Sequence, residues 1–350
     1  MQDIADAQVA ESLDPQVLIR SLIHSIDQVI AGLIPEGAPC ALVDFPSHSN
    51  VGDSAIWLGE KKVLRRRGVT VVYVCDGRTY ARKHLTKRLG REGIILIHGG
   101  GNLGDLWPAR EQFREKIIQD FTDHKIIQLP QSIHFAKSEN LKQAKVVFNA
   151  HPDLTILVRD THSFEMAKNE FSAKSILCPD LAFALDRPSR PSLPESEMVW
   201  LSRTDKESMG FALGDTSPHL KGAPLNKTDW LGERPTLTHK LYTFVKERIE
   251  RRPTYLGWCS GFLSQGYDWI ANQRLERGYR ALSRGRVVIT DRLHGHILSL
   301  LLGIPHVLLD NNYGKLRRFY ETWTSQSSLT FWATSPEQAR TLAEKLLRQS

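Results

Sequence analysis

Long hydrophobic runs are missing from this sequence, and cysteine is scarce. No apolar stretch reaches the roughly 18 residues that a membrane-spanning helix requires. The N-terminal MQDIADAQVAESLDPQ carries acids where a secretory signal would carry lysines. The four cysteines, Cys40, Cys75, Cys178 and Cys259, are widely separated and form no CxxC pair, which speaks against a zinc site or a disulfide framework and fits a reducing cytoplasm. Also missing are GxxxxGK[ST], so no phosphate loop is indicated, and HExxH, so no metal is. GxSxG is absent too, which discounts an esterase despite an HGGG run. There is no internal repeat and no low-complexity tract.

What is present has the composition of a soluble globular protein: 41% hydrophobic and 24% charged residues. A chain of 350 residues exceeds the usual size of a single core, so two domains are expected. The net charge of +7 is compatible with anionic substrates, with a membrane surface, or with neither. From residue 40 short, continuous apolar runs (ALVDF, VTVVYVCD, GIILIHGG, KIIQLPQS, TILVRD) alternate with helical patterns over 53–66 and near 104–121, and SILCPDLAF continues the series. Strands of this kind, each followed by a helix, predict α/β architecture with a parallel sheet covered on both faces. DRPSRPSLPES, 186–196, has three prolines in seven residues and reads as a stiff connector. It divides the chain into domains 1–187 and 188–350. The second half continues with strands MVWLSR, RVVITD and HVLLD, a helix ending near 251, and helices over 268–284, 295–302 and 336–348. Another helix is expected at 15–33. Two Rossmann-like halves facing a cleft would bind ligands just beyond the carboxyl ends of their strands.

Four motifs lie at such strand ends. DFPSHSNVGDSAI, 44–56, enters its helix at Asp53 or Ser54 and reads either as a cap with a glycine turn or as a ligand loop in which Asn50, Gly52 and Asp53 act. LIHGGGNLGDLW, 96–107, places Gly99, Gly100 and Gly101 after a buried strand, where glycine lets backbone N–H groups approach an anion and a following helix N-terminus would favour it. In LVRDTHSFE, Arg159 is suited to a bidentate grip on carboxylate or phosphate, although an Arg-Asp step is often only a surface pair. In VVITDRLHGHILSLLLG, Arg292, His294 and His296 stand at the mouth of a very apolar helix. The positive end of a helix dipole repels a cation, so something anionic is expected near Arg292.

NVGDSAI, HGGGNLGD, the RD of LVRD and above all TDRLHGHILSLLLGIPHVLLDNNYGKLRRFYETW resemble the polysaccharide pyruvyl transferase family, in order from about 44 to 324. The resemblance implies a GT-B-like fold, phosphoenolpyruvate as donor, a lipid-linked oligosaccharide or polysaccharide sugar as acceptor, and a cyclic pyruvate ketal as product. It implies that Arg159 and Arg292, with Leu293, grip the donor and that His294 takes part in catalysis. The glycines join the donor side, Asn50 and Asn102 the acceptor side, and Asp53 is a candidate for activating the acceptor hydroxyl. His294 suits the acid that protonates the enol methylene, because histidine titrates near neutrality. His296 has no such role. No cofactor, metal or nucleic acid is required. The 203–236 stretch matches nothing in the family pattern. A nucleotide-sugar glycosyltransferase on the same fold, or a non-catalytic sugar-binding protein, remain open alternatives. The basic stretches KKVLRRRG, 61–68, and ARKHLTKRLGR, 81–91, are either ordinary solvated faces or a docking surface for an anionic membrane at the cytoplasmic side.

Overall fold

The computed structural model of the protein describes residues 13–205, 207–210, 225–230, 237–251 and 256–349. In chain order the first elements are α1 (Pro15–Leu33), β1 (Pro39–Val43), α2 (Val51–Arg66), β2 (Thr70–Cys75), α3 (Arg82–Leu89), β3 (Ile94–Ile97) and β4 (Gly100–Gly104). Next come α4 (Pro108–Asp120), β5 (Ile126–His134), α5 (Ser138–Asn149), β6 (Leu154–Val158), α6 (Thr161–Glu170) and β7 (Lys174–Leu177). After the connector come β8 (Ser196–Leu201), β9 (Leu225–Thr228), α7 (Leu237–Arg251), α8 (Leu256–Ser283), β10 (Gly285–Thr290) and α9 (Leu293–Leu302). The chain continues with β11 (His306–Leu308), α10 (Lys315–Phe319), β12 (Thr330–Trp332) and α11 (Pro336–Gln349). Among the described residues no helix is long and apolar enough to cross a membrane.

The α/β expectation holds: both sheets are built of parallel pairings. The described residues fall into two compact units, one within 25–185 and 232–275, the other within 1–24, 186–231 and 276–350. The change of unit at 185/186 lies at the proline-rich connector. Residues 232–275, however, join the earlier segment, because Tyr267 of α8 stacks on Phe45 at 4.0 Å and Asp268 accepts the indole N–H of Trp57 at 2.9 Å. Leu13, conversely, bridges to Ser327 and belongs with the later segment.

In the first unit the strand order is β2-β1-β3-β5-β6-β7, with β4 paired to β5. Ile95, Ile97, Ile126, Ile156, Phe121 and Phe148 fill one core of this sheet, which is why its strands read as unbroken apolar runs. The chain leaves β1 in one direction to β2 and returns on the other side with β3. The topological switch point therefore lies between the carboxyl ends of β1 and β3, where open α/β sheets bind their ligands. In the second unit the order is β12-β11-β10-β8-β9, and the same logic puts its switch point between β8 and β10. Leu201 and Thr290 are paired there at the last positions of their strands.

Two local expectations are corrected. Helix α2 begins at Val51 rather than Asp53 or Ser54, with Asn50 as its N-cap. The glycine run is not a loop into a helix: Gly100–Gly104 is a strand, and α4 starts only at Pro108. Gly104, with φ +123, could not carry a Cβ, which would lie 1.8 Å from the His134 carbonyl oxygen of β5. A close backbone pairing, and not an anion-binding helix end, explains that glycine.

His296 sits wholly inside the second unit. The Ile304 carbonyl accepts from His306 Nδ1 at 2.8 Å, so His306 Nε2 must be the acceptor for His296 Nδ1–H at 2.7 Å. His296 Nε2 then accepts from the Thr324 hydroxyl at 2.8 Å. This chain works only with both rings neutral, and burial, the leading cause, lowers His296 well below its ordinary value and His306 to about 4. A folded-state pKa below the unfolded value near 6.5 means that the unfolded chain takes up the proton first. The stabilisation is complete above about pH 6.5 and is lost as pH falls towards 4, on the order of 3 kcal/mol for His306. Urea unfolding midpoints should drop over that window. A folded His306→Gln chain should lose that part of the slope, and an unchanged slope would refute the assignment.

Candidate active site

The second unit answers what lies near Arg292. Residues Asp291 and Arg292 leave β10 at the switch point, and Thr290 Oγ1 accepts the Arg292 N–H at 3.1 Å while donating to the Leu201 carbonyl at 2.9 Å. Arg292 occupies the N-cap position of α9 without capping it. Its guanidinium is only 2% exposed. Nη2 lies 2.7 Å from Asp229 Oδ1, Nη1 lies 3.6 Å from Asp205 Oδ2, and the group sits 5.8 Å above the Trp230 ring. The anions expected from the helix dipole are thus two carboxylates of the chain itself.

Both carboxylates come from the 203–236 stretch that matched no motif. Arg203, leaving β8, holds Asp205 in a fork at 2.9 Å through Nε and Nη2, and its Nη1 reaches Glu207 at 3.0 Å. Lys315 lies 3.4 Å from Glu207. Burial works against the Asp205 carboxylate, but Arg203 and then Arg292 outweigh it and hold its pKa below the ordinary range. Asp291 accepts the Arg203 backbone N–H at 2.8 Å, and burial still pushes its carboxyl up to about 6. Residues 211–224 and 231–236 of that stretch lie outside the described residues. Leu293 and His294 form the first turn of α9, and both are buried. His294 is thereby placed two residues from Arg292 at the switch point, whereas His296 points into the core.

In the first unit, Asn50 Oδ1 accepts the Gly52 N–H at 3.0 Å and Nδ2 donates to Asp53 at 2.9 Å. Asn50 is therefore both cap and holder of Asp53, which also stands 3.4 Å from His48 Nε2. A Cβ on Gly100, whose φ is +136, would meet Asp53 Oδ1 at 3.5 Å, so the glycine backbone runs directly past that carboxylate. The Gly99 N–H is taken by Glu60 at 2.8 Å. Gly101 and Asn102 continue into β4, where Asn102 Oδ1 accepts from Arg114 and, at 3.0 Å, from Gln131. Arg159 follows β6 and has no exposed surface. It pairs with Asp180 through Nη1 and donates from Nε to Ser132 Oγ at 3.1 Å. An anion that reaches Arg159 must replace or join Asp180. Asp53, Asn50 and Gly100 are thus brought together, and Arg159 is held by Ser132 and Asp180.

Residues not singled out in the sequence complete this unit's switch point. Asp44 follows β1 with φ +72, buried, its Oδ1 paired with Arg110 and its Oδ2 without a hydrogen-bond partner among the described residues. Burial raises its carboxyl above the ordinary range, against the pull of Arg110. His98 follows β3 and meets Glu60 at 2.8 Å through Nδ1. The available signals were weak: a histidine directly before three glycines, and a glutamate two helical turns beyond Asp53. Among the described residues no group of three or more His, Cys, Asp or Glu is placed to hold a metal ion.

Residues 50–313 match the family described as polysaccharide pyruvyl transferase. Pyruvyl transferase 1 of Schizosaccharomyces pombe is 31% identical over 296 residues, 81% of this chain and 69% of that protein. EpsO of Bacillus subtilis, which bears a pyruvyl transferase name, is 31% identical over 308 residues, 85% of this chain and 90% of its own. A crystal structure of a functional uncharacterized protein from Klebsiella pneumoniae subsp. pneumoniae superposes with a TM-score of 0.55 at 19% identity, covering 90% of this chain and 99% of that one, a likeness of fold alone. The family match over most of the chain, joined to these identities, makes the protein a transferase that belongs to the polysaccharide pyruvyl transferase family.

Proposed function

We propose that the protein moves the enolpyruvyl group of phosphoenolpyruvate onto a sugar of an exopolysaccharide or surface-polysaccharide repeat unit, closing a cyclic ketal and releasing phosphate. The observation that carries this reading is the setting of Arg292. One buried guanidinium at a switch point is faced by two carboxylates, Asp229 and Asp205. A small donor bearing a carboxylate and a phosphate offers two anionic groups of the same kind, and binding it would exchange one set of charge-assisted bonds for another. Arg159 is the second cationic grip in this reading, His294 the acid that protonates the methylene, and Asp53 a carboxylate that helps activate the acceptor hydroxyl, with Asn50, Asn102 and the glycines around it. No cofactor enters the scheme. The nucleotide-sugar and non-catalytic readings are not favoured, since the family and the named relatives are pyruvyl transferases. Phosphate release from phosphoenolpyruvate that depends on a sugar diol acceptor tests the reading; release that ignores the acceptor, or turnover of a nucleotide sugar instead, would overturn it.

The acceptor of such a reaction is carried on a lipid, so the reading places the enzyme on the cytoplasmic side against an anionic membrane. Arg82, Lys83, Lys87, Arg88 and Arg91, on or just beyond α3, are exposed and supply a basic face. In the other basic stretch Lys61 and Arg66 are committed to Asp268 and Asp27. Each basic residue near the surface contributes about 1 kcal/mol. Sedimentation with anionic vesicles should be strong at low salt and weak at physiological salt, and no binding to anionic vesicles would reduce the face to ordinary surface.

A further inference from the structure

The ring of His98 is fixed at the carboxyl end of β3, one strand from Asp44 at the carboxyl end of β1. The two strands are paired at Val43 and Ile97, and the His98 N–H donates to the Val43 carbonyl at 3.0 Å. Both side chains are more than nine-tenths buried, 2% and 1% exposed. Each has one polar atom without a hydrogen-bond partner among the described residues, Nε2 of His98 and Oδ2 of Asp44. Burying a polar atom unsatisfied is costly, and two at the switch point of one sheet mark a place shaped for a polar ligand. The left-handed backbone of Asp44 adds strain at the same point. Glu60 takes His98 Nδ1 at 2.8 Å and the Gly99 N–H at 2.8 Å, which locks the ring with Nε2 turned away from the carboxylate. A carboxylate behind a histidine, with the opposite nitrogen left unbonded by the protein, is the arrangement by which imidazole accepts a proton from a hydroxyl nucleophile.

From this geometry we infer that His98, backed by Glu60, is a further catalytic residue, the base that takes the proton of the attacking acceptor hydroxyl, with Asp44 Oδ2 accepting from the neighbouring hydroxyl. The inference rests on the pyruvyl-transfer reading. The acceptor O–H breaks as its oxygen bonds to the central carbon of the pyruvyl group, and the proton goes to His98 Nε2. When the carbon–oxygen bond to phosphate breaks, that proton passes to the departing phosphate oxygen. The second hydroxyl, closing the ring, returns a proton to the acid that protonated the methylene. Two protons are thus taken up and two released, and the imidazole ends as it began.

The charged groups around the ring are Glu60 and Asp53 from α2, Asp44 beyond β1, and His48 between them, with Arg110 on Asp44. Burial opposes the imidazolium, but Glu60, then Asp53 and Asp44, outweigh it and raise the His98 pKa above its ordinary value. The acid limb of the pH profile should therefore lie above pH 6.5, since the base must be neutral to act.

The test compares wild type, His98→Asn and Glu60→Gln in acceptor-dependent phosphate release from phosphoenolpyruvate, across pH. His98→Asn should lower kcat about 10²–10³-fold with little change in donor KM. Glu60→Gln removes the charge and leaves one carbonyl oxygen, which can still accept from His98 Nδ1 but not from the Gly99 N–H as well, so the acid limb should move to lower pH. Wild-type release with His98→Asn within threefold of it, or an acid limb unmoved in Glu60→Gln, overturns the role of His98 alone. No acceptor-dependent release by wild type overturns the pyruvyl-transfer reading and this inference with it. If His98→Asn fails to fold, as circular dichroism would show, the pH profile of Glu60→Gln decides.

Discussion

Arg292→Lys is expected to lower kcat/KM for the donor about 10–10²-fold, a loss of about 1.5–3 kcal/mol of transition-state stabilisation. The guanidinium is planar and reaches one carboxylate through Nη2 and another through Nη1. An ammonium is a single point with a shorter reach and cannot hold two anionic groups at once. Charge-assisted hydrogen bonds contribute about 1.5–3 kcal/mol each, so losing one geometry of two gives a change of this size. Lysine is the informative replacement because it keeps a positive charge opposite Asp229 and Asp205. Removing the charge altogether would leave those part-buried carboxylates facing each other and confuse binding with folding. The expected Lys variant therefore melts within a few degrees of wild type but turns over slowly. Steady-state kinetics with the donor varied would show it, and near-normal kcat and donor KM would remove Arg292 from the site.

His294→Ala should lower kcat by about 10²–10⁴ while leaving donor affinity within a few-fold, because a proton donor acts mainly in the transition state. His294 lies in the first turn of α9, two residues from Arg292, and is still 8% exposed. His296 provides the contrast within the same helix. It is fully buried, and its two ring nitrogens are committed to His306 and Thr324. His296→Ala should keep kcat per folded molecule and lose stability, on the order of 3 kcal/mol from a cavity and an unpaired imidazole. Titration calorimetry with phosphoenolpyruvate, beside kinetics and thermal melts of the two variants, separates these effects. A His294→Ala enzyme of normal kcat, or a loss confined to donor affinity, would mean that another group is the acid.

Much of the fold was legible because its signals are local. Strands buried on both faces must be apolar at every position, and ALVDF, GIILIHGG and RVVITD stand out for that reason. Helix α9 announced itself by LHGHILSLLL ending at Gly303, which takes the left-handed C-cap conformation that glycine accommodates best. The positions of Arg159, Arg292 and His294 at strand ends were readable from the same alternation. Helix α8 was not wholly readable: it begins at Leu256, well before the expected 268. Nor was β4, since a run of glycines has little strand preference and becomes a strand only because β5 lies alongside to pair with it.

Residue order along the chain therefore specified the alternation of parallel strands and helices, the proline-rich connector, and the family resemblance of the motifs at the strand ends. Tertiary structure decided the partners. Asp229 is 63 positions from Arg292, Glu60 is 38 from His98 and Asp180 is 21 from Arg159. Residues 232–275 rejoin the earlier unit across the connector. Hydrophobic periodicity records which face of an element is buried, a property of neighbours along the chain. Which carboxylate meets which arginine depends on where β8, β9 and β10 are laid side by side, and that is set by the packing of whole elements, with no trace in the spacing of the residues themselves.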